Sequence, residues 1–98
     1  MGSRAIVQIR FAHEGGESRP VAASTRRGGT GARVTLEVEK EAVAAGALFV
    51  LYRVGTAPVV VAGSAHRARV EAALANLGAA YRIVRIPVES DAAQSAAG

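Results

Sequence analysis

The sequence predicts an α+β domain with a small ferredoxin-like (βαββαβ) arrangement, preceded by one additional strand and with its helices on one face of the sheet. Three observations predict it. Apolar and polar residues alternate at 33–39, which is typical of a half-buried strand. A helical stripe of apolar residues occupies 65–77. Apolar runs at 48–54, 57–62 and 81–88 lie on either side of that helix in the chain.

The chain of 98 residues carries a net charge of +4 and has no cysteine. Its length is that of one domain, which we assign to residues 1–88. The acidic, alanine-rich segment 89–98 is predicted to be a disordered tail because it has no large apolar residue to bury. The lack of cysteine excludes disulfides and thiolate chemistry. Nothing near Met1 resembles a secretory signal, so a cytoplasmic location is expected.

The apolar stretch 42–62 invites a comparison with a membrane span. A spanning helix there would place Arg53 at its centre together with Gly55 and Pro58. A central arginine costs about 2.5 kcal/mol or more on insertion scales. We therefore interpret the stretch as a buried hairpin and expect no membrane partner.

The first strand is predicted at 4–12, where Val7, Ile9 and Phe11 share one face. From 13 to 32 the periodicity disappears, and glycine, serine, threonine and arginine dominate. We predict a long Arg/Gly-rich loop over 13–32. Loops of that length are uncommon in compact domains unless they are functional or mobile.

Residues 33–39 alternate again, which predicts a second strand with its apolar residues pointing inward. The next segment, 40–47, is rich in helix-forming residues and is interrupted by Gly46. This pattern predicts a short helix of about two turns. An irregular crossover is the alternative for that segment.

Strands at 48–54 and 57–62 are separated by Gly55-Thr56, which fits a two-residue type II′ hairpin turn with glycine at its first central position. Pro58 stands at the beginning of the second strand, where a missing amide donor is tolerated. The two strands are therefore predicted to form a hairpin.

The helix at 65–77 has Ser64 as its predicted N-cap and Gly78 as its predicted end. Its apolar stripe consists of Val70, Ala73, Leu74 and Leu77. A final strand at 81–88 completes the sheet, and the connection through the helix is predicted to be a right-handed parallel crossover. One sheet face is then left open, either to bind a ligand or to pair with a second copy.

The first candidate site is the arginine- and glycine-rich part of the predicted loop. Its arginines are Arg19, Arg26, Arg27 and Arg33, and glycines at 28–31 leave the backbone free to follow a ligand. Arginine offers planar donors to phosphates and stacks on bases, so this composition predicts contacts with a nucleic-acid backbone. The alternative interpretation is a solvated flexible loop.

The second candidate site is the start of the helix, at Gly63-Ser64. A strand that leads into a helix N-terminus presents unpaired amides and a positive dipole end. Ser64, His66 and Arg67 add side-chain donors for a bound anion. The spacing matches neither a P-loop nor a dinucleotide-binding motif. A simple N-cap is the alternative interpretation of Ser64.

The sequence carries no catalytic or metal-binding signature. His13 and His66 are the two histidines, and without cysteine they give no metal-ligand spacing. A serine and a histidine brought together only by the fold stay open as an alternative. We therefore expect no cofactor, no metal and no enzymatic activity.

These signals together indicate a small basic nucleic-acid-associated protein. We expect RNA rather than DNA, bound through arginine-phosphate contacts, because no recognition-helix motif is visible. The aromatic residues do not form the spaced pattern of a base-stacking platform; they are Phe11, Phe49, Tyr52 and Tyr81. The alternative hypothesis is a non-enzymatic homodimeric module that pairs through its open sheet face or binds a small anion at Gly63-Ser64.

Overall fold

The computed structural model describes residues 3–26 and 33–89, and strands account for 58% of them. Within those ranges the chain forms a succession of strands with two short helices. The elements are β1 (Arg4–Glu14), β2 (Glu17–Ser24), β3 (Arg33–Glu39), α1 (Lys40–Ala45), β4 (Ala47–Arg53), β5 (Val60–Ser64), α2 (Arg67–Leu74) and β6 (Tyr81–Glu89).

The strands form one six-stranded sheet with the order β3-β1-β2-β6-β4-β5. Neighbouring strands are antiparallel except β2 and β6, which are parallel. The sheet curls until its two edge strands, β3 and β5, contact each other, which gives a nearly closed, barrel-like architecture. The prediction of a ferredoxin-like α+β sandwich is therefore wrong.

Two pairings account for this error. β3 pairs along its whole length with β1, the strand predicted to be additional, instead of joining the strands that follow it. β2 lies inside the segment predicted to be a loop, and it links the β1–β3 pair to β6. Because these pairings are between segments far apart in sequence, the order of elements along the chain does not reveal them.

The prediction of a loop at 13–32 is wrong for His13 and Glu14, which end β1, and for Glu17–Ser24, which form β2. Gly15 and Gly16 have φ values of 57° and 83°, a left-handed conformation that glycine adopts without steric cost. They return the chain antiparallel to β1, and the two strands form a hairpin.

β2 shows no clear alternation of apolar and polar residues, because its buried residues are small or weakly apolar. These residues are Ser18, Pro20 and Ala23. The rest of the predicted loop, residues 27–32, lies outside the described residues, as do residues 90–98 of the predicted tail. Glu89, the first residue assigned to the tail, belongs to β6.

Several predicted elements are confirmed. β1, β3, α1, β4 and β6 lie close to their predicted bounds, and Gly46 ends α1 in the left-handed conformation with φ 75°. The prediction of a two-residue turn at Gly55-Thr56 is wrong, because β5 begins only at Val60. Gly55 also lacks the positive φ that a type II′ turn requires.

α2 is shorter than the helix predicted at 65–77. It begins after His66 and ends at Ala75, which has right-handed φ and ψ, so neither Ser64 nor Gly78 is its terminal residue. β5 and β6 both run antiparallel to β4, which lies between them, so the predicted parallel orientation of the strands on either side of α2 is confirmed.

The core fills the inside of the barrel. Alternation along each strand turns one residue in two inward. The buried cluster consists of Val7, Ile9, Ala23, Val38, Ala42, Leu48, Val50, Ile86 and Val88. Ala42 comes from α1, which contacts strands of both halves of the sheet. The inner face of the sheet is therefore covered by the chain's own side chains.

α2 packs on the outside of the barrel. Leu51 lies on the opposite face of β4 from Val50, yet both residues are fully buried. α2 contacts β4, β5 and β6, and its Val70 is also buried. The apolar stripe predicted on the helix thus faces the sheet, although Leu74 is only partly buried.

Side chains close the seam between β3 and β5, the two ends of the sheet order. A Cβ on Gly63 of β5 would lie 2.7 Å from Leu36 Cδ2 of β3 and 3.5 Å from Leu48 Cδ2. Glycine at this position therefore lets Leu36 pack directly against the β5 backbone. At the next residue, Ser64 is hydrogen-bonded to Glu39 across the same seam.

A second seam, between β2 and β6, is only partly closed. The N–H of Val88 donates to the carbonyl of Gly46 at 2.9 Å, on the β4 side of β6. Because neighbouring residues of a strand point their amides in opposite directions, Pro87 faces β2. The paired register of β2 and β6 consists of Ala23↔Val88 and Ser24↔Glu89.

The facing edge of β2 also carries a proline. The N–H of Ser18 points away from β1 and donates to the carbonyl of Gly55 at 2.8 Å. Pro20, two residues farther along, faces the same way. Proline has no N–H to donate, so Pro20 and Pro87 each remove a donor that a longer β2–β6 ladder would need. The strands separate beyond this point, and a cavity lies between them.

We expect Gly63→Ala to lower the free energy of unfolding by about 1–3 kcal/mol, because the added methyl group overpacks the seam against Leu36. Urea denaturation would measure this change. Gly78→Ala is the matched control, since a Cβ there meets nothing within 4 Å and φ is not positive. That control should leave stability unchanged or raise it by up to about 1 kcal/mol.

The seam contact itself is tested in a Leu36→Ala background. If Leu36 is the obstacle, Gly63→Ala should cost much less there than in the wild-type chain. An equal cost in both backgrounds would show that Gly63 is required for another reason.

Candidate nucleic-acid interface

Three arginines line one groove at the end of the β1–β3 ladder. Arg10 of β1 and Arg33 of β3 are direct cross-strand partners. Arg26 follows β2, and its backbone N–H donates to Ser24 Oγ at 3.1 Å. We call this site the arginine groove. Its volume is about 220 Å³, and its lining residues are Gln8, Arg10, Ala22, Ala23, Ser24, Arg26, Arg33 and Glu89.

Two of the arginines in the arginine groove face each other across the sheet. Like charges placed directly opposite each other in an antiparallel sheet are destabilising, and Arg10 and Arg33 are such a pair. Arg33 Nη1 donates to Gln8 Oε1 at 3.4 Å, but its Nε is buried without a hydrogen-bond partner in the described part of the chain. Glu89 supplies one exposed carboxylate. Arg10 and Arg33 thus present facing guanidinium groups, an arrangement that a phosphate satisfies.

The structure brings together two of the predicted nucleic-acid-binding residues, Arg26 and Arg33. Arg19 lies in a different cavity, and Arg27 is outside the described residues. Sequence reasoning missed Arg10. The alternation of β1 placed it on the polar face, but only the β1–β3 register shows that it lies opposite Arg33.

Arg19 lines the cavity between β2 and β6 where their pairing stops. We call it the Tyr52 cavity. Its volume is about 560 Å³, and its lining residues are Glu14, Glu17, Ser18, Arg19, Tyr52, Val54, Arg82, Ile83 and Val84. The lining offers carboxylates, guanidinium groups, an aromatic ring and apolar side chains. A ligand with both an anionic group and hydrogen-bond donors fits this chemistry.

The anion site predicted at the start of α2 holds a carboxylate of the chain itself. Glu39, the last residue of β3, accepts hydrogen bonds from Ser64 Oγ at 2.9 Å and from the Ala65 N–H at 2.8 Å. Arg69 Nη1 donates to the same carboxylate at 3.1 Å. Ser64 Oγ in turn accepts the N–H of His66 at 3.0 Å. An external anion would have to displace Glu39.

The other two side chains predicted to bind the anion are also engaged. His66 Nε2 forms a hydrogen bond with Glu41 Oε1 at 2.5 Å, and Arg67 Nε donates to Glu71 Oε2 at 2.9 Å. Both pairs are exposed, where ion pairs contribute little to stability. Each predicted donor at this site therefore already contacts an acidic side chain.

The environment of Glu39 determines its charge. Burial raises the pKa of this carboxyl, since its side chain is only 14% exposed. The hydrogen bonds from Ala65 and Ser64 and the charge of Arg69 outweigh burial, so the pKa lies below its ordinary value of 4.5. Glu39 is therefore ionised at neutral pH and links β3 to the start of α2.

A serine and a histidine do meet in the fold, but not as a nucleophile and its base. His13 Nδ1 lies 3.0 Å from Ser18 Oγ, and Ser18 Oγ donates to the carbonyl of Thr56 at 3.0 Å. The single hydroxyl proton is thus directed to Thr56, and His13 must donate from Nδ1. This is the reverse of the hydrogen bond through which a histidine activates a serine.

Over residues 3–26 and 33–89, no group of three or more His, Cys, Asp or Glu side chains is placed to hold a metal ion. In the same ranges, neither helix has the length and apolarity needed to cross a membrane.

No protein-family model matches this chain, and no curated protein or solved structure matches it significantly. Function is therefore argued from the geometry of the two cavities and of the Glu39 contacts.

We expect Glu39→Gln to lower the free energy of unfolding at about pH 7 by about 1–3 kcal/mol, because charged hydrogen bonds across the seam are lost. The folded pKa of Glu39 is lowered, so its contribution is complete above the unfolded value and disappears as pH falls through the folded value. The difference from wild type should therefore shrink below about pH 4.5. Urea denaturation from about pH 7 to about pH 2 would measure it.

Glu37→Gln is the matched control. Glu37 also lies on β3, but it is 62% exposed and pairs only with the exposed Arg4 in the described part of the chain. That variant should stay within about 0.5 kcal/mol of wild type at every pH. A Glu39→Gln deficit that persists unchanged in acid would contradict the role of its charge.

Proposed function

We propose that this protein binds the phosphate backbone of nucleic acid, RNA in preference to DNA, through the arginine groove, as a non-enzymatic cytoplasmic protein. The observation that carries the proposal is the cross-strand pair of Arg10 and Arg33 beside Arg26. The arginine groove draws its charge from three separate segments of the chain. Arginines scattered at random over a basic surface would not be expected to meet in one groove in this way.

Two unfavourable features of the groove support an anionic ligand. The like-charge pair costs roughly 0.2–1 kcal/mol by the usual cross-strand scale. Arg33 Nε is buried with no acceptor among the described residues, and such a donor costs about 1–3 kcal/mol. A bound phosphate relieves the like-charge pair, because its oxygens accept from the guanidinium groups in a forked geometry. It reaches the buried Nε only when the Arg33 side chain turns toward the groove.

The size and shape of the groove also favour a phosphate. Its volume of about 220 Å³ lies below the range of about 300–1,000 Å³ typical of small-molecule sites. A phosphate group fits a site of this size while the rest of the polymer extends over the surface. The net charge of +4 adds long-range attraction for such a polymer.

The alternative hypothesis of a homodimer through an open sheet face has less support. The barrel covers its inner face with its own core, and Tyr52 packs partly against that core. Among described residues, the large apolar side chains that remain exposed are Ile6, Val59 and Val61. Ile6 lies on β1, whereas Val59 and Val61 lie together at the start of β5, and we do not propose a dimer from them.

We expect the double variant Arg10→Gln with Arg33→Gln to weaken RNA binding and to reduce the salt slope of log K by roughly 1.4–1.8, at about 0.7–0.9 per lost phosphate contact. Fluorescence anisotropy with a labelled RNA at several salt concentrations would measure it. The control is Arg4→Gln with Arg53→Gln, which removes the same charge at exposed positions outside the arginine groove. The control should retain the wild-type slope within about 0.3.

Arg10→Gln alone should raise the free energy of unfolding by about 0.2–1 kcal/mol while it weakens binding, because the like-charge pair is removed. Equal salt slopes for the groove and control variants would refute the arginine groove as the binding site. No salt-sensitive binding of wild type to any polynucleotide at about 50 mM salt would refute nucleic-acid binding altogether.

A further inference from the structure

The two cavities lie along one flank of the barrel, where β2 faces β6. The arginine groove includes the C-terminal ends of both strands, at Ser24 and Glu89. The Tyr52 cavity includes Glu17–Arg19 of β2 and Arg82–Val84 of β6. Arg19 and Ser24 are five residues apart on β2, which is roughly 16 Å at about 3.3 Å per residue. A single extended polymer can therefore contact both cavities.

The Tyr52 cavity is poorly suited to a phosphate alone. Glu14 and Glu17 repel an anion, although Arg19 and Arg82 attract it. Among described residues, Glu14, Glu17 and Arg19 form no ion pair or side-chain hydrogen bond. Arg82 donates to the backbone carbonyls of Ala79 and Tyr81 and, within residues 3–26 and 33–89, to no carboxylate. Opposite charges thus line one cavity without neutralising each other.

A nucleotide with an unpaired base has the complementary set of groups. Its phosphate accepts hydrogen bonds from guanidinium groups, and the exocyclic amino group of cytosine, adenine or guanine donates to carboxylates. Its ring stacks on tyrosine. Tyr52 lines the cavity and is partly exposed, although it also packs partly against the core. The cavity is open to solvent, and its volume of about 560 Å³ is in the range of small-molecule sites.

We infer that the protein binds single-stranded nucleic acid, with one unstacked, amino-bearing base in the Tyr52 cavity and a neighbouring stretch of backbone in the arginine groove. This inference rests on the proposed function. Arg19 and Arg82 hold the phosphate next to that base, and Glu14 and Glu17 accept from its amino group. A duplex cannot use the cavity, because its bases are stacked and their amino groups are paired.

The chain offers a direct optical test. It has no tryptophan and two tyrosines, so Tyr81→Phe leaves Tyr52 as the only strong emitter. The probes are oligocytidylate and oligouridylate RNAs of about ten nucleotides and a mixed-sequence RNA duplex of the same length. We expect oligocytidylate to quench Tyr52 emission and to bind about tenfold more tightly than oligouridylate, which lacks an exocyclic amino group. The duplex should leave the emission unchanged.

Paired variants test the carboxylates. Glu14→Ala with Glu17→Ala should erase the preference for oligocytidylate over oligouridylate. Glu37→Ala with Glu71→Ala removes the same charge outside the cavity and should keep that preference. Because the readout is a ratio of two affinities, a general change in electrostatic attraction cancels. Circular dichroism of both variants establishes that the fold is intact.

The outcomes separate the inference from the function on which it rests. If all three probes bind with equal affinity and Tyr52 emission does not change, the cavity inference is overturned while the arginine groove stands. If the cytidylate preference survives Glu14→Ala with Glu17→Ala, the carboxylates do not read the base and the inference is also overturned. If none of the probes binds, both the inference and the proposed function are lost.

Discussion

The barrel depends on how β3 and β5 are joined, because they are the two ends of the sheet. Leu36 packs against Gly63, and the carboxylate of Glu39 receives hydrogen bonds from Ser64 and Ala65. These contacts replace a backbone ladder at this seam. The contact between β3 and β5 fixes the curvature of the sheet. In the strand order, β1 and β2 follow β3 in one half of the barrel, and β4 and β6 precede β5 in the other. The ionised side chain of Glu39, at the end of β3, thus helps to close the sheet at this seam.

The opposite seam is left partly open, and the prolines explain why. Pro20 and Pro87 lie on facing edges of β2 and β6 and remove donors that a parallel ladder would use. A closed barrel of this size would have its interior filled by side chains and offer no concave surface. The incomplete β2–β6 pairing leaves the Tyr52 cavity on the outside of a well-packed core. The β3–β5 seam is therefore closed by side-chain contacts, whereas the β2–β6 seam stays partly open and forms the Tyr52 cavity.

Local patterns predicted those elements whose residues alternate strongly. β1 and β3 carry large apolar residues at every second position, β4 and β6 stand out as apolar runs, and Gly46 marks the end of α1. β2 was missed since small residues such as Ala23 give no amphipathic signal. Register could not be predicted either, because a one-residue slip changes every cross-strand neighbour. The convergence of Arg10 with Arg33 and the contact of Glu39 with Ser64 are both products of register, so the composition of the arginine groove was only half visible in the sequence.

The sequence suggested two cationic sites, and the fold treats them differently. At the start of α2, the donors of Ser64 and Ala65 face Glu39, so the requirement for an anion is met within the chain. In the arginine groove, the Arg33 Nε has no acceptor within the described residues. Helix N-termini are often filled by the protein's own carboxylates, because a side chain already fixed by the fold competes well with a free anion. A buried donor with no acceptor in the described part of the chain is the stronger indication of an external ligand, and this contrast favours the arginine groove over the helix start.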